Sequence, residues 1–423
     1  MIKVSKFKVI FLVIVAIVFI TIGIACNETN KQTLLLSEMS AGLMCDDLTY
    51  QQTIRLFQSN GYELVQLVNG TQKLAVCPSL GGRVVAATFA GDDGFNPFFV
   101  NPVDIKGGPE AEKLIFRGAI GARDWLGPEG CGDMSFYFHK KPIVFENWYV
   151  DDRQNLPKMK VEEMSGGTSV VTTGEIHINN LRGNQFDIRI EQKAELITKV
   201  SDVFDIELPA EAAFVGVRRT TTFENIGNNS WDEEYGYSFI WYLAMLRASN
   251  ESYVIVPYKD DSGPIVIDYR FNDNQKIASD RLMLREEQEY IVFRADGSER
   301  GKIGFTPKRT LGIVYSVDIS RQMLCALKFD LYPEANYMNN LWTENAITTG
   351  GNALDIYNNT GGNPVLPGRF YELEAVSPRL ELAPGQSFSL RTTICFFHSS
   401  RQMMNHIISK TGNRDISGEK FME

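Results

Sequence analysis

From residue 62 almost to the end, apolar positions alternate with polar ones in short runs separated by turn residues. Period two marks half-buried strands. Segments 62–68 and 71–77 flank Asn69-Gly70, a pair that favours a tight primed turn, and read as a hairpin. Strand patterns continue at 80–89, 169–173, 186–196, 213–223, 237–246, 290–294, 313–317, 324–329, 370–376 and 387–397. Gly81-Gly82 predicts a bulge or a close backbone approach, and 223–236 reads as a turn between two strands. A helical stripe stands at 48–60, with Tyr50, Ile54 and Phe57 on one side and Gly61 as its stop. No long amphipathic helix interrupts the strands. The pattern predicts an all-β fold, a large antiparallel β-sandwich over 61–410 with a C-terminal tail at 411–423.

The first residues follow a different rule. Lys3, Lys6 and Lys8 precede an unbroken apolar run at 9–25, and Cys26 follows Ala25 directly. A positive start, an apolar middle and a small-residue end make a targeting segment. The pattern resembles a bacterial lipoprotein signal, with 1–25 as signal peptide and Cys26 as the acylated residue. Gly23 departs from it, standing where Leu, Val or Ile is usual. The competing reading is an uncleaved signal anchor. Residues 26–60 then hold the tether and the short helix. The expected location is the bacterial cell envelope, outer membrane or periplasm-facing, with the membrane as a partner through the lipid anchor.

Charge and cysteines narrow the classes. The formal net charge is -10. Without basic clusters, an acidic balance argues against nucleic acid as a partner. Besides Cys26 the cysteines are Cys45, Cys77, Cys131, Cys325 and Cys395, scattered and without a CxxC spacing. They predict neither a disulfide scaffold nor a zinc site. Cys77 and Cys395 lie in apolar runs and read as buried thiols. No cofactor or metal is expected.

Candidate chemistry concentrates at 121–138, GARDWLGPEGCGDMSFYF. Gly127, Pro128 and Gly130 predict an irregular loop carrying Arg123, Asp124, Trp125 and Glu129, and 134–138 reads as a buried strand. An indole beside a guanidinium and a carboxylate suits a sugar, whose C–H faces stack while its hydroxyls accept and donate charge-assisted hydrogen bonds. The competing reading is structural, with Trp125 in the core and Arg123 paired to Asp124 or Glu129.

Four stretches stand in order: PSLGGRVV at 78–85 with Arg83, the Trp125 segment, TFENIGNNSWDEEYGYSFIW at 222–241 with Trp241, and YELEAVSPRLELAPG at 371–385. Their order and spacing resemble the galactose mutarotase-like superfamily of β-sandwiches, which includes aldose 1-epimerases. The segments WLGPEG at 125–130, KIGFTP at 302–307, 351–357 and YELEAVSP at 371–378 are most like an uncharacterised bacterial family of that fold, often secreted or lipid-anchored. The resemblance covers about residues 60–400.

It implies a catalytic base at Glu374, with Glu372 on the same strand face as the competing choice. Both also fit solvent-facing strand acids. Epimerases pair that base with a histidine acid. Here the matching segment reads YGYSFIW at 235–241, and the histidines are His139, His177, His398 and His406. At 351–357 an asparagine, Asn352, replaces the acid usual after the glycine, with Asp355 following. The expectation is therefore a carbohydrate-binding protein, with Arg83, Arg123, Trp125, Glu129 and Trp241 lining one face and without standard aldose 1-epimerase activity. The alternatives are a sugar-modifying enzyme with Glu374 as base, and a surface lipoprotein without a ligand.

Overall fold

The computed structural model describes residues 47–106, 108, 120–155, 157–209, 212–270, 275–362 and 368–423. The signal segment, Cys26, Cys45 and the tether lie outside them. Thr49 starts the first described helix, Tyr50–Ser59, through a capping box with Gln52. Its apolar stripe, Tyr50, Ile54 and Phe57, is buried as the 3.6-residue period requires.

Two antiparallel sheets follow. Among the described residues the first has nine strands, in the order Val65–Asn69, Gln72–Cys77, Arg83–Thr88, Ala122–Gly127, Phe239–Arg247, Phe370–Val376, Leu354–Asn358, Gly301–Phe305 and Ile267–Asp268. The second has ten, in the order Leu282–Arg285, Tyr290–Arg294, Ser252–Pro257, Ile313–Asp318, Met323–Phe329, Ser387–His398, Ala213–Asn225, Gln185–Ile197, Ser169–Asn179 and Lys160–Ser165. Their facing sides share one core, which includes Leu126, Ile240, Tyr242, Leu373 and Ile356 from the first sheet and Val217, Phe223, Leu327 and Phe396 from the second. The β-sandwich expected from the period-two pattern is the observed architecture.

Each sheet also has an outer face. The helix Arg401–Gly412, absent from the expected pattern, sets Met404, Ile407 and Ile408 against Tyr315, Val317, Leu324 and Phe397 of the ten-stranded sheet. Ile416, in the tail, is buried in the same cluster. On the nine-stranded sheet the first helix packs with Ala75, Cys77 and Val85. Gly81 and Gly82 both take left-handed φ. A Cβ on Gly82 would stand 2.1 Å from Gln192 Oε1, so the double glycine is a close approach. Cys77 and Cys395 are buried thiols.

Three local expectations are corrected. Residues 122–127 form a regular central strand, paired along its length with Phe239–Arg247; only the Gly127-Pro128 step ends it. The aromatic run 134–138 is no strand: it leaves a one-turn helix, Gly132–Met134, and forms one bridge, Phe138 to Trp148. An apolar run that short fixes burial but not conformation. The strands flanking 226–238 lie in different sheets, so that connection is a crossover.

Candidate functional site

Residues directly opposite in an antiparallel ladder share a face. Across the nine-stranded sheet one row runs Arg123, Leu243, Glu374, Asp355 and Gly304. Beside it lie Trp125, Trp241 and Val376, and on the other side Met245, Glu372, Tyr357 and Lys302. All these point away from the ten-stranded sheet. Asp124, one residue out of phase, points into the core, where Arg219 and Thr221 of the other sheet bond its carboxylate. Period two therefore divides ARDW: Arg123 and Trp125 go to the site and Asp124 to the core.

Glu374 is the centre of the row. Its Oε2 accepts from Lys302 Nζ at 2.7 Å and from Trp241 Nε1 at 2.9 Å, while Oε1 has no hydrogen-bond partner among the described residues. Glu374 is 0% exposed and Lys302 5%. Lys302 Nζ lies 3.8 Å from Asp355 and 5.0 Å from the centre of the Trp241 ring. Burial works against its charge, but Glu374, Asp355 and Glu129 hold its pKa above the usual lysine value. The Asp355 carboxylate accepts from Tyr269 Oη at 3.0 and 3.1 Å and from Asn352 Nδ2 at 2.9 Å. A Cβ on Gly304 would stand 1.9 Å from Asn352 Nδ2, so the glycine of KIGFTP leaves room for this pair.

Above Lys302 opens a cavity of about 320 Å³, bordered by Glu129, Tyr269, Lys302, Asn340, Leu341, Trp342 and Thr343. Glu129 enters from the end of its strand. Its N–H donates to Asn340 Oδ1 at 2.7 Å, and its Oε1 accepts from Trp148 Nε1 at 3.0 Å. Burial raises the Glu129 pKa against the pull of Lys302. The 340–343 loop is seated by Cys131 N–H to Leu341 O at 3.1 Å and Gly132 N–H to Thr343 O at 2.9 Å.

Of the expected binding residues only Glu129 borders the cavity; Arg83, Arg123, Trp125 and Trp241 are buried on the same side of the nine-stranded sheet without lining it. The Arg123 guanidinium lies 3.5 Å from the Trp125 ring centre, and Trp125 packs on Tyr137 and Trp241. Burial lowers the Arg123 pKa to about 10, with Glu372, Tyr137 and Glu374 acting against it. Arg83 donates to Asn155 O at 2.9 Å and Oδ1 at 2.8 Å. Burial, then the neighbouring Arg123, depresses its pKa. Glu374 and Glu372 are buried, not solvent-facing, and neither borders the 320 Å³ cavity. The histidines lie elsewhere: His139 stacks on Tyr149, His177 bonds Asp187, His398 lies against Phe89, and His406 is exposed on the last helix. Among the described residues no group of three or more His, Cys, Asp or Glu is placed to hold a metal ion.

Lys302 opens the KIGFTP segment, but the sequence gives it no role; Tyr269, Asn340 and Trp342 arrive on irregular chain with no periodic mark.

Two carboxyls give the site a pH signature. Burial pushes Asp355 up to about 7, against Lys302, and pushes Glu372 up to about 8, with Glu374 adding its repulsion. Unfolded, both titrate near pH 4. Between those limits the folded chain binds more protons, so these groups make stability fall as pH rises from about 4 to about 8. Above that range their contribution is constant. The melting temperature of Asp355→Asn/Glu372→Gln should therefore vary less steeply over this window than that of wild type. Parallel curves for the two proteins would show that neither carboxyl is perturbed.

Three solved structures are among those similar to this chain. The Slr1438 protein of Synechocystis sp. PCC 6803 is 12% identical, with 84% of this chain and 98% of that one covered and a TM-score of 0.47. A galactose mutarotase-like protein of Lactobacillus casei ATCC 334 is 11% identical, covering 79% and 100%, with a TM-score of 0.41. A galactose mutarotase related enzyme of Lactobacillus acidophilus is 10% identical, covering 80% and 98%, with a TM-score of 0.41. No curated protein matches the chain. A family profile matches residues 48–418, and the chain belongs to that family, the family of unknown function DUF6786.

Proposed function

We propose that the protein recognises carbohydrate in the cleft over Lys302, without standard aldose 1-epimerase chemistry. The observation that carries this is the composition of the cleft wall. Glu129, Lys302, Asn340 and Thr343 offer charge and hydrogen bonds, while Tyr269, Leu341 and Trp342 offer apolar surface, around about 320 Å³. That volume falls at the lower end of small-molecule sites, about 300–1,000 Å³. A pyranose needs both kinds of surface at once. Recognition is favoured over epimerisation because no histidine borders the cleft and Glu374 is engaged by Lys302 and Trp241. Calorimetric titration with neutral monosaccharides should give binding, and Trp342→Ala should weaken it by on the order of 1–2 kcal/mol, roughly tenfold. Undiminished binding in that variant would remove the cleft from the account.

One observation favours a second reading, a sugar-modifying enzyme with Glu374 as base. Glu129, its pKa raised by burial, stands across Lys302 from Glu374 and is suited to hold a proton for an acid's role. Ring opening would then take a proton from O1 to Glu374 and deliver one from Glu129 to O5, and it requires Glu374, which does not border the cleft, to become reachable from it. Polarimetry of glucose and galactose decides: a rate above blank that is lost in Glu374→Gln selects the enzyme.

The proposal includes export and acylation at Cys26, supported by the lysine-led apolar run that ends there. Cys26→Ser should abolish partitioning into a detergent phase or leave the chain uncleaved. Cleaved protein that still partitions with detergent would exclude the lipid anchor.

A further inference from the structure

The rim of the cleft carries three aromatic rings. Phe145, on the one-turn helix Phe145–Asn147, is 50% exposed. Its ring is parallel within 11° to Trp148 at 6.1 Å and within 11° to Trp342 at 6.5 Å. Those separations exceed face-to-face contact, so Phe145 is offset from both indoles. Each indole is fixed from behind. Trp148 donates to Glu129 Oε1 at 3.0 Å, and Trp342 meets the edge of Phe138 at 90° and 5.1 Å. The Phe145 loop is itself tied down: Ile143 N–H donates to Glu344 Oε1 at 2.7 Å, and Asn147 Nδ2 to Pro142 O at 2.8 Å. Val144 and Glu146, the neighbours of Phe145 in the chain, are also exposed.

We propose that Phe145, with Trp148 and Trp342, is a stacking platform for the second and later residues of an oligosaccharide whose terminal residue occupies the cleft. The proposal rests on the carbohydrate reading of the cleft. Continuity selects the occupant: Trp342 belongs to both cleft wall and platform, and Glu129 lines the cleft while orienting Trp148. Rigid parallel rings present flat apolar faces without ordering cost, and sugar C–H faces are flat, apolar and repeated along a chain. Polar side chains at the edge leave the equatorial hydroxyls solvated or bonded.

The test is titration calorimetry on the full chain with glucose, galactose, mannose and xylose and with the β-1,4-linked hexasaccharide of each. At least one hexasaccharide should bind roughly tenfold or more tightly than its monosaccharide. Phe145→Ala should bring the hexasaccharide back to monosaccharide affinity and leave the monosaccharide unchanged. Being on the surface, that substitution leaves the core intact. Monosaccharide binding with no gain from length, or a gain that survives Phe145→Ala, overturns the platform and leaves the cleft reading standing. Absence of binding by every sugar overturns both. Self-association in sedimentation that is lost in Phe145→Ala, without any length effect, assigns the rings to a contact between copies and also overturns the proposal.

Discussion

Replacing Asp124 by alanine is expected to cost about 3–5 kcal/mol of stability, because it leaves a guanidinium charged and unpaired in the core. The Asp124 and Arg219 side chains are each 2% exposed. Their ion pair bridges the two sheets, with Thr221 Oγ1 donating to Asp124 Oδ2 at 2.8 Å and Arg219 Nη1 donating to Gly82 O at 2.7 Å. Gly82 carries that carbonyl at the close approach of its own strand to the second sheet. A buried pair adds little over well-packed apolar residues, yet removing one partner is expensive. Asp124→Leu/Arg219→Met should accordingly recover most of the loss. The urea midpoints of wild type, single and double variants measure this. A single variant within about 1 kcal/mol of wild type would mean that the charges are solvated.

Lys302→Met is expected to be comparably severe and to change the pH dependence as well. It removes the ammonium between Glu374, 0% exposed, and Asp355, 1% exposed. Glu374 and Asp355 would then lose the cation they share in a low-dielectric site, costing about 3–5 kcal/mol at a pH where both are charged. Protonation relieves that cost, so the variant should gain more stability on acidification from alkaline pH than wild type does. Lys302→Met/Glu374→Gln should be less destabilised than the sum of its single variants, since both remove one interaction. Additive losses in that cycle would show that Lys302 and Glu374 do not act on each other.

The sandwich was legible because alternation survives wherever one sheet face is buried. Gln185–Ile197 shows it over nearly its whole length and Ala213–Asn225 over its second half. The strand Ala122–Gly127 was hidden because both of its faces are occupied, one by the core and one by the site, so its polar residues read as loop. Glu374 and Trp241 were found from the order of their motifs, and their mutual hydrogen bond was not readable from spacing. Lys302 could be suspected, as a charge inside an apolar strand. Trp342 could not, because its loop reaches the site by docking on residues 129–132, a contact between segments distant in the chain.

Diffraction from crystals soaked in a saturating neutral monosaccharide decides whether the cleft over Lys302 holds a sugar. Density for one pyranose over Lys302, with a ring face toward Trp342 and hydroxyls near Glu129 and Asn340, is the expected result. An empty cleft at saturating sugar, or a sugar ordered only on the outer face of the ten-stranded sheet, would contradict it.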